Sequence, residues 1–303
     1  MMSLAQAYPA RPIKTIMTIG GAADLVARLV AKGIAEPLGQ PVVVEVQSGA
    51  GGSIGQEAVA RAAPDGYTLM FSSVSSHVTP YFLSKNVRFD PIASYTPIAK
   101  VAESILLVIA NAQEPYGTVA EMIEYARRNP GRISYGTSGV GTTHHFAAVL
   151  ITALTGIVWV HIPYKAGPPV VTDTLTGRIQ VGFVILGTLG SNARSEKIRV
   201  IGTNMSQRVS QYPDLPTVTE QLPGFEPSPT WLAYFGPAGL PQPIVQRLHA
   251  EIMKVMKLPE TRSRLEAAGF AVSTGSAEDV TQMIRRDMAF VARAVKAAGI
   301  QPE

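Results

Sequence analysis

Strand-period and helix-period stretches alternate along almost the whole chain, and no other feature narrows the possible folds as far. Residues 13–19 are apolar and β-branched, as a buried strand requires. Over 24–38 the apolar side chains recur at helical spacing, with Val26, Val30 and Ile34 on one face. Residues 42–46 read as a second strand, "GAGGSIG" turns the chain into a helix over 54–62, and "PDGYTLMF" is a turn followed by a third strand. Beyond residue 110 the series starts afresh. Thr118 and Glu121 have capping-box spacing and open a helix over 119–128, which Asn129-Pro130-Gly131 ends. A strand at 133–135, a helix to 155, a strand at 157–162, a helix at 170–176 and strands at 180–185 and 198–202 follow. A last strand at 232–235 precedes helices at 243–256, 260–268 and 277–298, the final one capped by Ser276 with Asp279. Such alternation predicts α/β layers around mostly parallel sheets.

Strand-like runs at 104–110 and 229–236 stand outside both series and read as crossings between two α/β units. A chain that crosses twice builds one lobe from both its ends and the other from its middle. A cleft then lies between the lobes, and hinge closure becomes available. The expected lobes are 8–107 plus 232–303, and 108–231.

Several chemistries are excluded or weakened by what the chain lacks. It has no cysteine, which removes disulfides, thiolate-bound zinc, iron–sulfur clusters and a cysteine nucleophile. Its 26 Lys and Arg give a net charge of +4 but are scattered, not the basic stripe that nucleic acid requires. His144 and His145 are adjacent and diverge on a helix, and no H-E-x-x-H is present, so no metal is expected. Ser138 lacks the glycine two residues on that a nucleophile elbow needs. "GAGGSIG" follows a strand, but no acid closes the next one, as dinucleotide binding would want. No cofactor is expected. No apolar run is long enough to span a membrane, and "ILLVIA" is strand-sized. Ala5-Gln6-Ala7 has the form of a cleavage site, so residues 1–7 read either as a signal remnant or as an ordinary tail.

What remains is binding. Four strand-to-helix loops are rich in Gly, Ser and Thr: "TIGGAAD", "SSVSSH", "TSGVGTTH" and "YKAGPP". Loops of this kind offer hydroxyls and free backbone N–H groups at helix N-termini, where the helix dipole adds about half a positive charge. Together they suit a carboxylate, and none carries a base or nucleophile poised to react.

These loops, with "YPARPIKTI", "GGAADLVARLVA", "LGQPVVVE", "AAPDGYTL", "YGTSGVGTTHHFAA", "HIPYKAG" and "FGPAGLP", make the chain resemble the Bug family from Tyr8 to Ile300. These are periplasmic solute-binding proteins of the tripartite tricarboxylate transporters. The resemblance implies a two-lobed periplasmic-binding-protein fold (Venus flytrap, type II-like) with two crossover strands. It implies a soluble monomer in the periplasm of a Gram-negative bacterium. Such a protein captures a small mono- or dicarboxylate without turnover and delivers it to membrane permease subunits. By motif match, the first lobe supplies Thr18, Gly20, Gly21, Ala22, Ala23, Asp24, Ser72, Ser73, Ser75 and Ser76. The second supplies Ser138, Gly139, Val140, Gly141, Thr142 and Thr143, then Tyr164, Lys165 and Ala166. One carboxylate is expected on the Thr142 and Thr143 hydroxyls and the amides of 139–143, with Asp24 capping its helix.

Two departures from the family pattern bear on function. The first loop, Met17-Thr18-Ile19 into Gly20-Gly21, is about two residues short and lacks a proline. The Asp that commonly follows the strand's Phe is absent, since Phe183 precedes Val184-Ile185. That loss disfavours an amino-acid ligand and favours a more apolar acid, such as an aromatic one. The competing readings are a hydrolase-like enzyme using Ser75, Ser138 or His144, and a receptor whose shortened loop impairs closure.

Overall fold

The computed structural model describes residues 8–210 and 212–302. Residues 1–7, with their cleavage-site motif, lie outside it. Its strands are β1 (Ile13–Met17), β2 (Val42–Val46), β3 (Thr68–Ser73), β4 (Tyr95–Ser104), β5 (Leu106–Asn111), β6 (Ser134–Thr137), β7 (Val160–Pro163), β8 (Val181–Ile185), β9 (Ile198–Thr203), β10 (Trp231–Pro237) and β11 (Phe270–Gly275). The helices of the first 100 residues are α1 (Ala23–Leu38), α2 (Ser53–Ala60), α3 (Val74–His77) and α4 (Thr79–Leu83). Those of the middle are α5 (Val119–Arg128), α6 (Thr143–Thr155), α7 (Gly167–Leu175), α8 (Leu186–Leu189) and α9 (Val218–Gln221). The last are α10 (Gln242–Lys257), α11 (Pro259–Ala267) and α12 (Ala277–Ala297).

Among the described residues these strands form two sheets, ordered β11-β4-β10-β3-β1-β2 and β7-β6-β8-β5-β9. Both are mixed, which corrects the expectation of mostly parallel sheets. Parallel pairing is confined to the βα units, β1 with β2 and β3, and β6 with β7 and β8. β10 runs antiparallel to β3 and β4, and β5 antiparallel to β8 and β9. A helical crossover forces parallel order, whereas β5 and β10 arrive from the other sheet and are free to run the other way. The chain changes sheets at Ile105, two residues before the expected lobe boundary, and returns at Trp231. Two strands were not anticipated. β4 carries Pro97, Lys100 and Glu103 among its apolar residues, and β11 is an edge strand with Ser273 and Thr274.

Each sheet is covered on both faces. In the first half α1 buries Val26, Val30 and Ile34, which cluster with Leu248, Ile252 and Val255 of α10. Burial of each such side chain contributes about 1.5–3 kcal/mol before conformational entropy is subtracted. The opposite face takes α12 through Phe290, Val291 and Ala294, with Trp231 and Phe235 of β10. α12 also reaches the second half, where Phe290 meets Phe146 of α6 edge-on at 6.5 Å between ring centres.

The halves touch closely beside the first crossing. Ile105 donates its N–H to Gly269 O at 3.0 Å, and Leu186 donates to Ile105 O at 2.8 Å. The next residue, Gly187, lies so near the chain before β11 that an added Cβ would sit 2.1 Å from Ala268 O. At the second crossing Asn204 and Ser228 exchange two hydrogen bonds, of 2.9 and 3.1 Å.

Candidate functional site

The C-terminal ends of β1, β3, β6 and β8 open onto a cleft of about 570 Å³ between the halves. Gly20, Gly21 and Ala22 line it from the turn before α1, and Ser73, Val74 and Ser75 from the start of α3. From the other half come Ser138, Thr142, Thr143, His144, Lys165 and Ala166. Ser104 and Thr230, one on each crossing, close the back. The shortened first loop therefore still reaches the cleft.

On the first-half side, hydroxyls are knitted into a floor. Thr18 Oγ1 lies 2.7 Å from Ser72 Oγ and 2.9 Å from Ser76 Oγ, and Ser72 and Ser76 are 3.0 Å apart. Ser73 and Ser76 form a reciprocal capping box, so the "SSVSSH" stretch expected as a loop is the end of β3 running directly into α3. Ser72 is fully buried and supports the floor from beneath rather than lining the cleft.

The opposite wall is the loop from β6 to α6. Thr142 caps α6, its Oγ1 accepting from His145 N–H at 3.3 Å and donating to Gly139 O at 2.8 Å. Its hydroxyl is thus hydrogen-bonded within the loop while its side chain lines the cleft. Gly139 N–H is likewise turned to Thr137 Oγ1 and Gly141 N–H to His145 Nδ1, both at 3.3 Å. The first-turn N–H groups of Thr143 and His144 have no partner among the described residues, as at any helix start without a ligand. The same holds for Ala22 and Ala23 at the start of α1. Two helices, one from each half, therefore present the positive ends of their dipoles to one cleft.

Its electrostatics are simple. Among the described residues Lys165 is the only Lys or Arg lining the cleft, and no Asp or Glu does so. The histidines behind the loop are neutral near pH 7. Burial lowers His144 to about 4, and burial with the nearby His161 lowers His145 to about 4. His145, His161 and Tyr135 stack at 4.3 and 4.9 Å between ring centres and stiffen the loop from behind.

Besides Ser72, four expected residues stand apart from the cleft, while Thr18, Ser76, Val140 and Gly141 line the space next to it. Ala23 is packed into the first core. Asp24 does not cap α1, whose N-cap is Ala22; it accepts from Arg28 at 2.7 Å one turn on. With two glycines and an alanine before it, the turn places Asp24 inside the helix instead of ahead of it. Tyr164 donates to Asp173 Oδ2 at 2.7 Å. Gly139 shapes the loop with φ at +130°. Conversely, Ile185 at the end of β8 and Thr188 in α8 line the cleft, from a fifth strand-to-helix junction that its apolar "VILGTL" sequence concealed. Val184, where the family's acid would stand, is fully buried in the second core, and Ile185 is the residue that faces the cleft.

Ser138 Oγ and His144 Nδ1 are hydrogen-bonded, the one Ser–His contact at the cleft among the described residues. No carboxylate orients this imidazole, and its Nε2 is buried without a partner. His77, beside the serines in sequence, turns away to bond Pro91 O at 2.8 Å and stack on Phe235. No group of three His, Asp or Glu among the described residues could hold a metal ion. No described helix is long and apolar enough to cross a membrane.

Comparison with known proteins points one way. Residues 26–300 match the model of the tripartite tricarboxylate transporter family receptor. Protein BugT of Bordetella pertussis is 31% identical across 84% of this chain and 78% of its own length. The structure of R. palustris Rpa4515 with adipate superposes with a TM-score of 0.84 at 27% identity, covering 98% of this chain and all of that one (100%). MatC from Rhodopseudomonas palustris with bound malate gives 0.78 at 26% identity, over 95% of this chain and 100% of its own.

Proposed function

Since this chain belongs to the tripartite tricarboxylate transporter receptor family, we propose that it captures a small organic carboxylate between its halves and passes it unchanged to membrane permease subunits. It does so outside the cytoplasmic membrane, in the periplasm. The halves act as two lobes, 8–105 with 231–302 and 106–230, turning about Ile105 and Thr230.

One observation carries the reading. Two helix N-termini from opposite halves face the same cleft, with hydroxyls and Lys165 around them and no acidic side chain. A carboxylate that bridges them replaces its lost water with charge-assisted hydrogen bonds from both halves, each contributing about 1.5–3 kcal/mol. Closure on the ligand follows, because only the closed form makes both sets. The relatives bound to adipate and malate support the ligand class. Turnover has no support in the cleft, where the Ser138–His144 contact lacks an orienting acid.

A thermal-shift screen with mono- and dicarboxylates, aromatic acids and acidic amino acids tests this. A ligand at a hundredfold excess over its dissociation constant adds about 2.7 kcal/mol of stability. The bound acid is then recovered by heat release and identified by mass spectrometry. Recovery of an altered molecule, or no stabilisation by any acid, overturns the proposal.

A further inference from the structure

The cleft continues into a second compartment of about 340 Å³ that differs in character from the first. Ile19, Gly20, Ser75 and Thr142 line both and form the passage between them. Beyond it lie Ala50, Pro80, Leu83 and Val140, and no charged side chain among the described residues. The compartment is roofed by contact between the halves: an added Cβ on Gly141 would lie 2.3 Å from Leu83 Cδ1. Thr18 is engaged with Ser72 and Ser76, Ser75 with Ser73, Thr79 with Val74 O and Thr142 with Gly139 O, while the exposed Ser48 and half-buried Ser84 complete the polar part of the lining. Lys165 and the first turn of α6 belong to the other compartment.

We propose that this compartment receives the apolar end of the ligand, so that the preferred substrate is a monocarboxylate with an aryl ring or alkyl chain. The inference rests on the carboxylate-receptor reading of the cleft. A second carboxylate entering here would surrender its hydration without a cationic partner. A methylene or ring gains from burial against Ile19, Pro80, Leu83 and Val140. Departure of the acid from position 184 does not bear on this choice, because Val184 is in the core.

Isothermal titration of the full chain with acetate, butanoate, hexanoate, benzoate and phenylacetate, and with succinate and adipate, decides it. Affinity is expected to rise about fourfold per added methylene until the space is filled, with hexanoate above adipate. In Leu83→Ser and in Val140→Asp most of that chain-length gain is lost. Val140 is 53% exposed, so its variant folds even where Leu83→Ser does not. Adipate binding more tightly than hexanoate, or a flat chain-length series with short acids still bound, overturns the inference and leaves the receptor reading intact. Failure of every acid to bind removes both.

Discussion

Thr142 shows how one side chain can shape a loop that faces a cleft. Its hydroxyl joins Gly139 O to His145 N–H and so fixes the free N–H groups of the next two residues. Thr142→Val keeps the shape and removes both bonds. Urea denaturation should give a loss of about 1 kcal/mol, restored by Thr142→Ser, with weaker ligand binding in parallel. This role is not legible in sequence, because Thr142 has His145 three residues on, where Thr118 and Ser276 have the acid of a capping box. Titration belongs to the same scale. Burial raises Asp287 to about 7 from 3.8, against the opposing hydrogen bond from Trp231 Nε1. Between those values the folded chain keeps a proton that the unfolded chain gives up. The stability it contributes is full below pH 3.8 and disappears as pH rises to about 7. His77 works in the opposite sense, since burial holds it at about 4 against 6.5. Its contribution is full above pH 6.5 and is lost as pH falls to about 4. Unfolding midpoints measured across this range should therefore show Asp287→Asn gaining on the parent chain as pH rises.

Elements with strong local rules were legible, and those made by tertiary contact were not. α5 begins and ends where its Thr118 cap, apolar face and Asn129-Pro130 stop say it should. α1 and α12 follow their apolar periodicity in the same way. β4 and β11 have polar residues and depend on antiparallel partners far away in sequence, so no local pattern betrays them. For the site, glycine and hydroxyl content exposed the turns before α1 and α6. The junction of β8 with α8 is apolar and escaped notice, although it supplies Ile185 and Thr188. At that junction Gly187 of α8 packs on the backbone before β11. Gly187→Ala has only backbone to push against, and should lower unfolding stability by about 1–3 kcal/mol in chemical denaturation. Because the displaced contact lies beside a crossing, ligand affinity should fall with it.

For the molecule as a whole, the halves are joined beside the crossings and meet again across the cleft, where Gly141 lies against Leu83. α12 spans both, packing on β4 and reaching α6 through Phe290 and Phe146. Small-angle X-ray scattering should record a smaller radius of gyration once a bound acid is present, and Gly187→Val should blunt that change. The strand order has a further consequence, in time rather than space. β10 lies between β3 and β4 in the first sheet, yet it is made after the entire second sheet. The middle of the chain, from β5 to β9, can complete its sheet while the opening strands still wait with Leu69, Met70 and Phe71 half covered. Pulse-labelled hydrogen exchange during refolding should protect β5 and β8 before β3 and β4. A growing copy of this chain cannot complete its first sheet until β10 and then β11 have been made.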